Sequence, residues 1–266
     1  MIFPAFPKPL PRTPVNKSMA DLLAPIVPDW PAPDWVSAFS TTRSGGVSEA
    51  PFGSLNLGFT AGDSAPRVAR NRQLALAHCS AVPTWMRQVH GTQIIELSQQ
   101  PKTQAAADGA WTGLPDQLCL VQTADCLPLL VCELGKRRVA AIHAGWRGLA
   151  AGVVEAALDA MEASAESTLI WLGPAIGPQH FEVGRDVVEA FCQVHHEDQN
   201  HFQQTDAKHW LADLPGLAQS RLRRQGFHQV FASNLCTYSD AKRFFSYRRD
   251  GVTGRMASAI AMTPTA

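Results

Sequence analysis

The sequence predicts an α+β fold in which a mixed β-sheet lies between helical layers. Short runs rich in Val, Ile and Leu, typical of strands, are interspersed with segments whose apolar residues recur at helical spacing. These segments do not alternate regularly, which favours an α+β arrangement over repeated βαβ units. The chain has 266 residues, 45% of them hydrophobic, and can therefore bury a sizeable core.

The first half of the chain is predicted to contain a strand, a helix and a pair of strands. A helix start is indicated at Ser64, a candidate N-cap, with Pro66 in the first turn. The predicted elements are a strand over 36–42, a helix over 67–78, and paired strands over 85–90 and 93–97 around His90 and Gly91.

The second half is predicted to hold buried strands, three helices and two closing strands. Apolar and β-branched runs predict strands over 118–123, 127–133, 139–143 and 169–172. Apolar residues at helical spacing predict helices over 148–161, 185–195 and 210–225. Closing strands are expected over 227–232 and 255–262.

The chain divides into an N-terminal arm and one domain. Residues 1–35 contain nine of the 19 prolines and little periodic pattern, so we expect an irregular or partly disordered arm there. Residues 36–266 have the pattern of a single globular domain without internal repeats.

Composition argues against partners that are recognised through overall charge. Lys and Arg number 23, as do Asp and Glu, so no global field attracts nucleic acid or acidic membranes. No apolar run approaches the ~20 residues that span a bilayer. The N-terminus lacks the order of a signal peptide, and the six cysteines are scattered. We expect reduced thiols and a cytoplasmic protein.

Three soft metal ligands lie beside glycine or other small residues. His90, Cys126 and His143 are separated by 36 and 17 residues, and the chain has no Cys-x-x-Cys pair. A catalytic zinc takes three such ligands from separate elements and keeps a fourth position open. The pattern therefore indicates a metal-assisted enzyme. Taken singly, each residue can instead be an inert buried thiol or a satisfied histidine.

Several cationic segments are candidates for binding substrate. Arg147 lies in a glycine-flanked turn before a predicted helix, where backbone N–H groups favour anions. Arg43 lies in a similar turn rich in hydroxyl groups. Either turn can also be a plain connection with a surface arginine. Tyr247, Arg248 and Arg249 combine cations with an aromatic face, which suits either stacking on a base or covering the core.

Taken together, these segments resemble the bacterial family once called polyphenol oxidase or laccase-domain proteins, also known as the peptidoglycan editing factor family. That family is now described as purine nucleoside phosphorylases with adenosine deaminase and methylthioadenosine phosphorylase activities. The resemblance covers roughly residues 35–262. It rests on seven blocks in order: 87–92, 107–109, 123–128, 141–148, 173–177, 234–237 and 245–251. The arm is longer and richer in proline than expected of the family.

The resemblance implies an α/β sandwich of the kind shared with cysteine-hydrolase-like toxins, and a zinc held by His90, Cys126 and His143. Copper(II) can occupy the same ligands. The nine histidines include no His-x-His pair, so laccase chemistry through a trinuclear copper cluster is excluded.

The implied activity is phosphorolysis of adenosine, inosine or methylthioadenosine, with adenosine deamination as a side activity. The expected partners are a small nucleoside and phosphate. We expect the base near residues 244–249 and the phosphate at Arg43 and Arg147. Asp125 is a candidate for orienting a histidine ligand or shuttling a proton, or it is a turn residue.

Two other functions remain open at this point. Cys126 can be a nucleophile, with His143 or His90 as its base, in an amidase that acts on cell-wall (peptidoglycan) precursors. The chain can also be a non-catalytic metal-binding module. A bound metal separates these functions, because a cysteine that ligates zinc is not free to attack a carbonyl.

Overall fold

Two mixed sheets stack face to face between helical layers. The computed structural model describes residues 25–97 and 105–263. The layer order is helices, a six-stranded sheet, a four-stranded sheet and a further helix. The α+β prediction is confirmed, and the predicted mixed sheet is present as two sheets.

The six-stranded sheet carries the hairpin that positions much of the candidate site. In spatial order its strands are β12 (Val230–Ala232), β8 (Thr168–Leu172), β6 (Leu127–Glu133), β7 (Arg138–Ala144), β4 (Gly109–Thr112) and β3 (Ile94–Glu96). β6 and β7 are antiparallel, with Pro128 opposite His143. The strands predicted over 127–133, 139–143 and 169–172 are confirmed; β4 was not predicted.

The four-stranded sheet packs against the six-stranded one. In spatial order its strands are β1 (Val36–Ser40), β13 (Met256–Met262), β5 (Gln117–Thr123) and β2 (Val82–Thr84). The core between the sheets includes Val121, Leu130, Trp171 and Ile260, all at most 1% exposed. Because β5 and β6 are covered on both faces, their sequences are continuous apolar runs rather than alternating ones.

Helices cover the outer faces of both sheets. On the six-stranded sheet lie α2 (Trp146–Ala151), α3 (Val153–Ala160), α4 (Arg185–Cys192) and α5 (Leu214–Arg224), and α1 (Ala65–Ala75) lies on the opposite side. A short α6 (Tyr247–Asp250) precedes β13. A small antiparallel sheet contains β10 (Phe202–Gln204), β11 (His209–Ala212) and β9 (Glu182–Gly184). None of the helices in the described ranges combines the length and apolar character that a membrane crossing requires.

Three predicted elements differ from the structure. The strand expected over 85–90 is a loop, so the strand expected over 93–97, observed as β3, pairs with β4 instead. The helix expected over 148–161 is divided at Gly152, whose φ of 95° is left-handed. The helix expected over 210–225 begins at Leu214, because Asp213 caps it by accepting the Gly216 N–H at 3.0 Å.

The described part of the predicted arm packs on the domain. Ile26 forms a β-bridge with Ser40, and Trp30 and Trp35 contact the core between the sheets. The rest of the predicted arm, residues 1–24, lies outside the described residues. At the start of α1, Ser64 occupies the N-cap position, but its side chain makes no capping hydrogen bond.

The Leu130→Ala variant tests the core between the sheets. Leu130 is fully buried, so removing its side chain should lower the free energy of unfolding by about 2–5 kcal/mol through lost burial and a residual cavity. Leu134→Ala, in the exposed β6–β7 turn, should change it by less than about 0.5 kcal/mol. Urea unfolding followed by tryptophan fluorescence measures both. Equal effects in the two variants would contradict the assigned packing.

Candidate metal centre

His90, Cys126 and His143 converge at one end of the β6–β7 hairpin. Their ligand atoms all lie within 4.8 Å of one another. Cys126 immediately precedes β6 and His143 lies near the end of β7, so strand pairing brings them together. His90 comes from the loop between β2 and β3, with its Nε2 3.8 Å from the Cys126 Sγ. The predicted triad is therefore assembled by the fold from three separate segments.

Asp108 organises this centre, and we did not predict it as a site residue. Its fully buried carboxylate accepts a hydrogen bond from His143 Nδ1 at 2.8 Å. It also accepts the backbone N–H groups of Val89, His90 and Gly91 at 2.8–3.2 Å. One carboxylate thus orients one histidine and shapes the loop that carries the other. The available sequence signal was the block at 107–109, one of the seven that carry the family resemblance.

The same contacts keep Asp108 ionised. Burial acts to raise its pKa, but hydrogen bonds from His143 and from the backbone N–H groups outweigh burial and lower the pKa. His90 has a φ of 59°, in the left-handed region, and its N–H donates to Asp108 at 2.9 Å. The loop conformation is therefore stabilised by a carboxylate 18 residues away.

Gly145 permits the close approach of two of the ligands. A Cβ at this position would lie 2.7 Å from His90 Cδ2 and 3.1 Å from Cys126 Sγ. The glycine-flanked turn at 145–148 therefore provides space for the ligand cluster.

The thiol of Cys126 and the ring of His143 influence each other's ionisation. Burial alone would raise the pKa of Cys126, but the charge of His143 and hydrogen bonds with both histidines lower it to about 6. Burial alone would lower the pKa of His143, but the Cys126 thiolate and Asp108 raise it to about 9. Without a metal, the pair is therefore a thiolate and an imidazolium at neutral pH.

A cavity of about 610 Å³ opens over the ligand cluster. His90, Cys126 and His143 form part of its wall. The aromatic side chains of Phe59, Trp85 and Tyr247 also line it, as do three arginines: Arg72, Arg87 and Arg255. Among the described residues that line this cavity, none is an aspartate or a glutamate. The wall is therefore cationic and partly aromatic, although the chain as a whole is neutral.

Of the five residues predicted to bind substrate, only Tyr247 lines this cavity. Arg43 donates to the carbonyls of Gly53 and Ala241, both at 3.0 Å, and is thereby fixed to the backbone. Arg147 is exposed and stacks on the neighbouring Trp146 ring. The structure does not bring either arginine to the cavity wall.

Arg248 and Arg249 also bind the protein's own backbone. Arg248 donates to the Glu182 carbonyl at 2.6 Å, and Arg249 donates to the carbonyls of Thr237, Tyr238 and Phe244. These two guanidinium groups connect the chain segments around α6 and lie outside the cavity lining.

Asp125 has a different set of partners from the one we expected. Its carboxylate accepts hydrogen bonds from Thr237 Oγ1 at 2.6 Å, Ser246 Oγ at 3.0 Å and the Arg248 N–H at 2.7 Å. Asp108, not Asp125, orients the histidine ligand. Asp125 instead anchors the C-terminal segments beside the site.

Comparison with known proteins identifies the family of this chain. Residues 37–263 match the sequence profile of the family described as multi-copper polyphenol oxidoreductase laccase. The chain belongs to this family. It is 46% identical over 236 residues to a Pseudomonas aeruginosa protein named purine nucleoside phosphorylase, covering 88% of this chain and 97% of that protein. It is 47% identical over 237 residues to the Escherichia coli purine nucleoside phosphorylase YfiH, with the same coverage.

Solved structures of family members share the fold. Neisseria meningitidis protein NMB0706 superposes with a TM-score of 0.88 at 40% identity, covering 90% of this chain and 99% of that one. YlmD from Geobacillus stearothermophilus superposes with a TM-score of 0.80 at 27% identity, covering 88% of this chain and 94% of that one. The fold of this laccase-domain chain is therefore that of its family.

The donor set fits one metal ion rather than several coppers. Within the described residues, His90, Cys126 and His143 are the one group of three or more His, Cys, Asp or Glu side chains placed to hold a metal. Two imidazoles and a thiolate suit a four-coordinate ion that leaves one position open to the cavity. A single group of this kind does not provide the several copper sites named in the family description.

Asp108→Asn tests the role of the buried carboxylate. The native carboxylate accepts four hydrogen bonds, whereas the amide places N–H donors there. His143 therefore loses its charged partner. We expect zinc affinity to fall by about 10- to 100-fold, as for other partners of histidine ligands. Competition with a chromogenic chelator measures this affinity. The matched control is Asp206→Asn, which alters an exposed Asp–His pair in the β10–β11 turn. Equal zinc affinities in both variants would contradict the assignment.

The pH dependence of metal binding tests the thiolate–imidazolium pair. A metal needs the thiolate and a neutral imidazole, so it must displace the proton of His143. With pKa values of about 6 for Cys126 and about 9 for His143, affinity should rise as pH increases between them. Because one proton is displaced, the metal affinity should rise about tenfold for each pH unit. Chelator competition across this range measures the slope, and a flat profile would contradict the pair.

Proposed function

We propose that this laccase-domain protein is a zinc-dependent purine nucleoside phosphorylase. It cleaves adenosine, inosine or methylthioadenosine with phosphate, and deaminates adenosine as a side activity. The observation that carries the proposal is the ligand cluster in the wall of a cavity of about 610 Å³, within the range of small-molecule sites. The names of the Pseudomonas and Escherichia relatives support the same reaction.

The aromatic side chains of the cavity suit a nucleoside base. Phe59 is 47% exposed and Tyr247 is 61% exposed, and both line the cavity. Exposed rings of this size are costly to leave in water and offer faces on which a purine can stack. In this proposal Tyr247 retains its predicted role in base binding, and Phe59 joins it.

The phosphorolysis is a substitution at C1′ of the ribose. A phosphate oxygen forms a bond to C1′ while the bond from C1′ to the base nitrogen breaks. The electron pair of the broken bond passes to the base, which takes up a proton. The products are the free base and ribose 1-phosphate, or 5-methylthioribose 1-phosphate when the substrate is methylthioadenosine. The cationic wall favours this reaction because it holds the phosphate next to the positively charged transition state of the sugar.

The deamination exchanges the C6 amino group of adenosine for oxygen from water and releases ammonia. His90, Cys126 and His143 would hold the zinc, with His143 oriented by Asp108. A zinc held by three protein ligands supplies an activated water whose pKa is lowered to about 7. Copper(II) suits the same donors. The cavity position of the cluster gives a bound nucleoside direct access to the ligands.

A cysteine amidase is the second candidate, and one observation favours it. The pKa of Cys126 is lowered to about 6 beside two histidines, as in activated nucleophiles. In that reaction Sγ attacks an amide carbonyl of a cell-wall precursor, and the C–N bond breaks as His143 or His90 protonates the leaving amine. Water then hydrolyses the thioester, which releases the carboxylic acid and restores the thiol. The two functions make opposite demands on Cys126, which is a metal ligand in one and a free nucleophile in the other.

We also propose that the protein acts in the cytoplasm on small molecules, without nucleic acid or membrane partners. All six cysteines are unpaired, which supports a reducing compartment. Equal numbers of basic and acidic residues support the absence of polyanionic partners.

Incubating the zinc-loaded protein with adenosine, with and without phosphate, tests the proposed function. Chromatography should show adenine and ribose 1-phosphate only when phosphate is present, and inosine without it. Cys126→Ala and His143→Ala should abolish turnover, because each removes a zinc ligand. Cys192→Ala, which alters a thiol outside the cavity, should retain the wild-type rate.

Two outcomes would contradict the proposal. Absence of product from zinc-loaded wild-type protein would exclude nucleoside phosphorolysis. Release of an amine from a peptidoglycan-type amide by metal-free protein, lost in Cys126→Ala and inhibited by added zinc, would establish the amidase instead.

A further inference from the structure

The described arginines divide into those that pair with carboxylates and those that do not. Six arginines pair with carboxylates in the described residues: Arg67, Arg138, Arg221, Arg224, Arg243 and Arg249. Within the same residues, neither Arg72 nor Arg255 forms a salt bridge with any carboxylate. Both are half-buried cavity residues without a carboxylate in direct contact, although the charges of Cys126 and Asp125 act on Arg255 from a distance.

Arg72 is held in a rigid position. Its guanidinium lies 3.5 Å from the centre of the Trp85 ring and 4.3 Å from that of Phe59. Its Nε donates to the Leu57 carbonyl at 2.9 Å. These contacts fix the plane of the guanidinium while using one of its five N–H groups. Burial lowers the pKa of Arg72 to about 10, so the group stays charged at neutral pH without a compensating anion.

Arg255 is anchored to the same stretch of backbone. The fully buried Leu57 donates its N–H to the Arg255 carbonyl at 3.0 Å, and the Arg255 N–H donates to Asn56 Oδ1 at 2.9 Å. The Leu57 carbonyl also accepts Gln122 Nε2 at 2.7 Å. One buried peptide segment thus positions the Arg72 guanidinium, the backbone of Arg255 and a neighbouring amide. The Arg255 guanidinium itself donates from Nη1 to the carbonyls of Thr253 and Gly254 at 2.9 and 3.0 Å.

We propose that Arg72 and Arg255 form the binding site for inorganic phosphate in this cavity. This assignment rests on the proposed phosphorylase function and replaces Arg43 and Arg147, which do not line the cavity. Guanidinium groups bind phosphate oxygens through paired N–H donors, and a fixed guanidinium loses little entropy on binding. No carboxylate in the described lining competes for them.

Phosphate titration of the full-length protein, with melting temperature as the readout, tests the assignment. Ionic strength is kept constant with sodium chloride. Wild-type protein should be stabilised by phosphate, because a ligand that binds the folded state raises its stability. Arg72→Gln and Arg255→Gln should each weaken phosphate binding by about 10- to 100-fold, as expected for lost hydrogen bonds to a charged group.

Two further variants separate binding from folding. Arg70→Gln removes an exposed arginine from the same helix and should bind phosphate like wild type. Arg72→Lys keeps the positive charge but lacks the paired N–H donors of the guanidinium. Its phosphate affinity should therefore lie between those of wild type and Arg72→Gln. Unchanged phosphate binding in Arg72→Gln, or an equal loss in Arg70→Gln, would overturn the assignment.

Activity measurements distinguish failure of this site from failure of the proposed function. In steady-state assays, Arg72→Gln should raise the KM for phosphate by at least about tenfold, with a much smaller change in the KM for adenosine. Phosphorolysis with an unchanged phosphate KM in Arg72→Gln would overturn the phosphate site and leave the function standing. Phosphate binding that depends on Arg72, without cleavage of any nucleoside, would leave the site standing and overturn the function.

Discussion

The carboxylate of Asp108 is the interaction on which the candidate site depends. It has no exposure to water, and it satisfies its charge with one imidazole and three consecutive backbone N–H groups. A buried charge is tolerated only when it is fully hydrogen-bonded, so this carboxylate requires both the loop around His90 and the ring of His143. Two of the three candidate metal ligands are thus positioned by a single side chain from a third segment.

The ligands could be predicted from the sequence because two of them lie at or next to the ends of buried strands. The apolar runs of β6 and β7 are long and continuous, so their ends, and with them Cys126 and His143, are visible in the sequence. The conformation of the His90 loop was not predictable in the same way. Its N–H groups donate to a side chain 17 to 19 residues away, and the local sequence pattern does not indicate such a contact.

The arginines that bind substrate in our proposal could not be identified from the sequence. Arg43 lies in a turn that is typical of anion sites, yet its guanidinium is already bound to carbonyls. Arg72 lies inside a helix and Arg255 precedes a strand, and neither position stands out locally. What a guanidinium binds depends on what the fold places opposite it. For Arg72 those neighbours are two aromatic rings and a carbonyl from other segments.

Gly145, which has no side chain, restricts how the ligand cluster can change. Any Cβ there would collide with the ring of His90, so no substitution at this position can add a fourth donor without displacing a ligand. Steric exclusion therefore keeps any side chain at this position out of the ligand cluster. A fourth protein ligand, as in a purely structural metal site, would have to come from the cavity side. It would then occupy the space that a substrate needs.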